Sequence, residues 1–250
     1  MPSATHLAFV GTYTQRGSEG IHVCAYDADT GTLEHLSHIG GIKNPSFLAI
    51  HPTLPVLYSV GETGADATVA AFSFDRTSGD LTPLNVQPAH GTSPCHLSVD
   101  QTGQLLVVAN YSGGTVSAYP LLDDGRLAEA SCVFQHEGSS INPKRQEGPH
   151  AHSATIDPTN GFVFVADLGI DQLVAYSLDL EHRTLHAAPD KTVAVAPGEG
   201  PRHFDFHPSG RFGYLITELG NRIIAYSYDA GVLAELQVVP TLPGDFAGTS

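Results

Sequence analysis

Short apolar runs alternate with turn-forming residues along this chain, and one arrangement of them recurs about every fifty positions. His51-Pro52, Asp100-Gln101, Asp157-Pro158 and His207-Pro208 each follow one short apolar strand and are soon followed by another. Their spacings are 49, 57 and 50 residues. The second strand of each copy ends in a polar segment: Val60-Gly-Glu-Thr, Val108-Ala-Asn-Tyr, Val165-Ala-Asp-Leu and Ile216-Thr-Glu-Leu. A third strand carries Ala71-Phe72, Ala118-Tyr119, Ala175-Tyr176 or Ala225-Tyr226, and a fourth is expected near Leu81, Leu127, Leu185 and Leu233. Gly79, Gly125 and Gly231 precede three of these leucines by two positions, where a hairpin turn requires positive φ. Four short antiparallel strands per period predict the blades of an all-β propeller. A sandwich has no reason to repeat one four-strand pattern with matched turns.

A single domain over 1–250 follows, with blade-like repeats at approximately 5–42, 43–90, 91–146, 147–198 and 199–250. The first copy is expected to lack its opening strand, because only Val10-Gly-Thr-Tyr, Ala25-Tyr26 and Gly31-Thr-Leu33 match. The third copy owes its extra length to one insertion, roughly Gln135 to Gly148. Nothing at Leu242–Ser250 supplies a closing strand, and unpaired sheet edges are normally avoided. The expectation is therefore part of a longer propeller.

Charge then narrows the ligand. With 26 acidic against 11 basic side chains the net charge is −15, which argues against nucleic acid or an anionic membrane. No apolar run approaches the ~20 residues of a membrane-spanning helix. Met1 to Leu7 lacks the blocks of a secretory signal, and three cysteines at no metal-like spacing fit a reducing, cytoplasmic setting.

In an antiparallel blade the start of strand one and the end of strand two lie at one edge, so two columns converge on one mouth. One column reads Ser46, Cys95, His152, Arg202; the other reads Thr12, Glu62, Asn110, Asp167, Glu218. Both vary while staying almost wholly polar, as a ligand site on a repeat scaffold would. His152, Arg202 and Glu218 combine a base, a fixed cation and a carboxylate and are the catalytic candidates. Lys144, Arg145, His150, His203, Asn110, Asp167 and Glu62 are candidate substrate-binding residues, the basic ones drawing an anion against the global field. His150 and His152, at i and i+2 of a strand, would share a face and raise the question of a divalent ion. No further ligand stands at a diagnostic spacing, so neither metal nor cofactor is expected. His51 and His207 are expected to serve the repeat turns. Neither a phosphate-binding glycine loop nor a serine nucleophile elbow occurs.

Val10-Gly-Thr-Tyr-Thr, Val108-Ala-Asn-Tyr-Ser-Gly-Gly, Gly148-Pro-His-Ala-His, Val165-Ala-Asp-Leu-Gly, Gly200-Pro-Arg-His and Thr217-Glu-Leu run through nearly the whole chain. In these stretches the chain resembles the propeller-type lactonase family, which includes bacterial 6-phosphogluconolactonase and fungal carboxymuconate cyclase. The resemblance implies seven blades, of which about five are expected here. It also implies an active-site His, Arg and Glu falling on His152, Arg202 and Glu218. The implied activity is metal-independent opening of a small anionic sugar lactone, 6-phosphogluconolactone, by general acid/base catalysis, with no partner protein. Either His152 or Glu218 could be the base. Lactone formation on a muconate-like acid and a non-enzymatic binding propeller are the alternatives.

Overall fold

The computed structural model describes residues 5–248; part of the amino-terminal stretch considered above and the last two residues lie outside them. Five antiparallel sheets follow one another along the chain. The first has three strands, β1 (Thr5–Val10), β2 (Ile21–Asp27) and β3 (Thr32–Ile39). The second contains β4 (Leu48–Ile50), β5 (Val56–Gly61), β6 (Thr68–Phe74) and β7 (Leu81–Pro88). In the third are β8 (Pro94–Val99), β9 (Leu105–Asn110), β10 (Thr115–Pro120) and β11 (Cys132–Gln135). The fourth is formed by β12 (Ala151–Ile156), β13 (Phe162–Asp167), β14 (Gln172–Asp179) and β15 (Thr184–Ala187), with the two-residue β16 (Val193–Ala194) also on β14. The fifth holds β17 (Pro201–Phe206), β18 (Phe212–Thr217), β19 (Arg222–Asp229) and β20 (Val232–Pro240). The opening strands of successive sheets touch one another, β4 against β8, β8 against β12 and β12 against β17.

The second strands β5, β9 and β13 are buried on both faces, which is why they read as unbroken apolar runs, whereas β18 alternates and leaves Tyr214 and Ile216 exposed. On β9, Leu106 and Val108 join Tyr58, Val69 and Ala71 of the second sheet, while Leu105, Val107 and Ala109 join Ala154, Val163 and Val165 of the fourth. A third core places Phe164 and Ala175 against Phe204, Leu215 and Tyr226. Each fully buried aliphatic side chain stabilises the stack by roughly 1.5–3 kcal/mol.

The repeat turns perform one task with two side chains. Asp100 Oδ1 accepts the Leu105 N–H at 2.7 Å and Asp157 Oδ1 the Phe162 N–H at 2.6 Å. His51 Nδ1 accepts the Leu54 N–H at 3.0 Å, and His207 Nδ1 the Ser209 N–H at 3.1 Å. Gly79, Gly125 and Gly231 have φ of 78°, 83° and 85°, as their turns required. One expectation fails in the third sheet. Its fourth strand begins at Cys132, five residues after Leu127, which makes only an isolated bridge to Leu121. Leu127 is taken up instead by the second sheet, where Asn85 Nδ2 donates to its carbonyl at 2.7 Å and Asn85 Oδ1 accepts its N–H at 3.0 Å.

Candidate active site

The pocket arises from an irregularity repeated in three sheets. The pairing of first and second strands slips between Pro94 and His96, between Ala151 and Ser153, and between Pro201 and His203. The extra residue at each bulge is Cys95, His152 or Arg202. A bulge re-aims its side chain out of the alternation of the strand, and all three line one cavity of about 310 Å³ with Ser46. Tyr13, Phe47, Glu62, Tyr111, Arg145, His203 and Glu218 complete the wall.

Glu218 is the hub. Arg202 Nε donates to its Oε2 at 3.0 Å and Arg145 Nη2 donates to its Oε1. His152 Nε2 lies 3.7 Å from Oε2. Burial pushes the Glu218 carboxyl upward, but the bond and charge of Arg145, with His152 and Arg202, outweigh it and leave it below the ordinary carboxylate value. Burial, reinforced by the charges of Arg202 and His203, lowers the His152 imidazole to about 4. At neutral pH the pocket thus presents an unprotonated imidazole beside a carboxylate fastened to two guanidiniums. Cys95 Sγ donates to the His152 carbonyl at 3.2 Å, and burial first, then Glu62, raises its thiol, so it is no thiolate.

Arg145 reaches the pocket on the insertion between β11 and β12, which the interior holds at several points. At its base His136 Nδ1 pairs with Asp167 Oδ2 at 2.6 Å, leaving Nε2 to accept from the Tyr176 hydroxyl at 2.7 Å. The fully buried Gln146 donates Nε2–H to the Leu168 carbonyl at 2.9 Å and accepts the Asn142 N–H at 3.2 Å. Asp171 ties two elements together. Its Oδ2 accepts Ser140 Oγ–H at 2.5 Å and the Gly198 N–H at 2.7 Å, while Oδ1 accepts the Gly200 N–H at 2.7 Å, two residues before Arg202. The close fit requires glycine at 169, where a Cβ would stand 1.8 Å from the Gly148 carbonyl oxygen.

Of the residues expected at the mouth, His152, Arg202, Glu218, Arg145, His203 and Glu62 line the pocket, and Lys144, His150, Asn110 and Asp167 do not. Lys144 is exposed, its backbone N–H on Asn142 Oδ1. His150 precedes the bulge; it stacks on Tyr111 with centroids 4.6 Å apart and supports that ring, which His152 meets edge-on at 5.4 Å. Of the two histidines expected to share a face, His152 lines the pocket and His150 does not. Among the described residues no group of three or more His, Cys, Asp or Glu is arranged to hold a metal ion. Asn110 is fully buried, its amide on the Ala89 and Thr115 carbonyls, and Asp167 is buried on His136 and on the His150 and Gly169 N–H groups. Thr12, placed in the same column, is likewise outside the pocket and donates to the Gly20 carbonyl at 2.6 Å.

The error is one of register. Glu62, Tyr111, Leu168 and Glu218 all lie 11 residues beyond the turn residues His51, Asp100, Asp157 and His207. Their N–H groups make one matched set of bonds, to the carbonyls of Asn44, Ser93, His150 and Gly200. Asn110 and Asp167 stand ten beyond, in the buried column. Counting from the turn rather than from the preceding valine would have exposed Tyr111. Tyr13 could not be found this way, since the first sheet has no such turn.

The chain is similar to a 6-phosphogluconolactonase of Bacillus subtilis (strain 168), at 38% identity over 98% of this chain and 69% of the relative. A 6-phosphogluconolactonase of Formosa agariphila is 34% identical over 88% of this chain and 63% of its own length. The periplasmic gluconolactonase structure of Pseudomonas aeruginosa superposes with a TM-score of 0.91 at 33% identity, over 98% of this chain and 70% of that one. The chain thus spans about two thirds of the length of these relatives. The family described as "Lactonase, 7-bladed beta-propeller" matches residues 7–250, and with the sheet repeat and its bulged mouth this places the chain in that lactonase family.

Proposed function

We propose that this chain is a metal-independent lactone hydrolase that opens 6-phosphogluconolactone to 6-phosphogluconate, a step of the pentose phosphate pathway. The observation that carries the reading is the neutral His152 imidazole in one pocket with Arg145, Arg202 and Glu218. The relatives named 6-phosphogluconolactonase, similar over 98% and 88% of this chain, support the substrate. The five sheets are then five of the family's seven blades, with the pocket at the mouth of their common axis. Three unbridged cysteines support the cytoplasm as its compartment.

Opening the ring requires an activated water and a counter-charge for the oxyanion. His152 Nε2 takes a proton from water as the oxygen adds to the carbonyl carbon. Arg202, and Arg145 beside it, hold either the developing oxyanion or the anionic substituent, for which a planar fork suits both. Collapse breaks the acyl–oxygen bond, and the ring oxygen leaves with the proton that His152 took. Glu218 is the less available proton acceptor, because guanidiniums occupy both its oxygens; it orients the arginines.

Replacing Arg202 with Ala is expected to lower kcat/KM for 6-phosphogluconolactone by about a hundredfold or more, measured by acid release. Wild-type turnover in that variant would remove the assignment. Chelation and dialysis are expected to leave the wild-type rate unchanged.

A further inference from the structure

The pocket is electrically divided around the axis. Arg145, Arg202 and Glu218 cluster on the side of the fifth sheet, and His152 and Cys95 come next. The opposite side belongs to the first two sheets and holds Tyr13, Ser46 and Glu62. Glu62 differs from Glu218 in its partners. Its Oε2 accepts Ser46 Oγ–H at 2.5 Å and Tyr13 Oη–H at 3.0 Å. Its Oε1 has no hydrogen bond, and Glu62 enters no ion pair, among the described residues. Cys95 stands between the two poles and feels both, Glu62 raising its thiol and Arg202 lowering it.

We infer that Glu62, held by Tyr13 and Ser46, is a specificity-determining residue that admits a polyhydroxylated lactone and rejects a polycarboxylate of similar length. A carboxylate oxygen with no partner is an acceptor for substrate hydroxyls, and such charge-assisted bonds are among the stronger ones. A substrate anchored by its anionic end at Arg145 and Arg202 lays its remaining length toward Glu62. Hydroxyls there are bound, whereas a second carboxylate meets a like charge with no cation beside it. Discrimination by a repulsive group needs no added contact to the favoured ligand. The inference rests on the lactone-hydrolase reading for its substrate and separates that substrate from a muconate-like acid.

The test is calorimetric binding of D-gluconate and of adipate, a dicarboxylate of similar length, alongside lactone turnover. The wild-type chain is expected to bind gluconate at least tenfold more tightly than adipate. Glu62→Gln is expected to weaken gluconate about tenfold and to strengthen adipate about tenfold. Tyr13→Phe leaves the carboxylate in place and is expected to keep adipate excluded. If Glu62→Gln does not fold, Glu62→Ser carries the same expectation. Equal binding of both ligands by the wild type, or an unchanged ratio in the Glu62 variants, overturns the inference even where lactone is hydrolysed. A reversed ratio in a chain that hydrolyses no lactone would uphold the Glu62 assignment and remove the activity instead.

Discussion

At the scale of the residue, the proposal of His152 as the base rests on how each candidate's partners are spent. Glu218 has the more familiar pairing, yet its two arginines stabilise the anion and so weaken it as a proton acceptor. His152 is kept neutral chiefly by burial, with Arg202 and His203 adding to it. With His152 as the base, kcat/KM should stay level down through pH 6.5 and fall only as the pH passes through about 4. A stopped-flow profile between pH 3.5 and 7, where spontaneous lactone opening is slow, measures this. A midpoint near the ordinary histidine value of ~6.5 would contradict an imidazole lowered by its burial. His152→Gln should lower kcat by about two to four orders of magnitude, with little change in the affinity for gluconate.

Two devices at the scale of the element build the pocket, and both depart from the regular repeat. The bulges turn Cys95, His152 and Arg202 toward the mouth, where alternation alone would have put neighbouring side chains on opposite faces. The insertion supplies the second guanidinium, and Asp171 couples it to the segment entering β17. Asp171 has φ of 52°, a conformation that Asn also tolerates, so Asp171→Asn removes charge and acceptor capacity without forcing the backbone. That variant should raise KM for lactone about tenfold through displaced arginines. It should also move the acid limb of the pH profile, because the field of Arg202 on His152 changes. A loss of Tm with both kinetic features intact would reduce Asp171 to a purely structural part.

At the scale of the whole molecule, the clustered imidazoles of His96, His152 and His203 make the fold sensitive to acid. Burial, then the charges of His203 and His152, lowers His96 to about 3; His152 stands at about 4, and burial with Arg202 lowers His203 as well. Each folded-state value lies below the ordinary ~6.5, so between that pH and about 3 the unfolded chain binds more protons. Stability should therefore fall as the pH is lowered through that window, beginning above the range in which carboxylates titrate. Thermal unfolding between pH 7 and 4.5 should show a declining Tm, and His96→Phe should flatten the decline. A Tm independent of pH above 5 would contradict it.

The sequence by itself determined whatever the repeat had to satisfy in every copy. A strand buried on both faces must be apolar throughout, a tight turn needs an acceptor side chain or a glycine, and the residue five before that turn must reach the mouth. Hence the five sheets, the turns at His51, Asp100, Asp157 and His207, and the column Ser46, Cys95, His152, Arg202 could be read without coordinates. Only the tertiary structure decided which members of the second column face the cavity. A shift of one residue exchanges a buried position for a lining one, and valine anchors shift between copies while the count from the turn does not. Tertiary contacts also chose between Lys144 and Arg145, set His150 behind Tyr111, and brought Tyr13 to Glu62 across 49 residues of chain. Those choices depend on where loops close against neighbouring sheets, a matter of packing between copies that no single copy encodes.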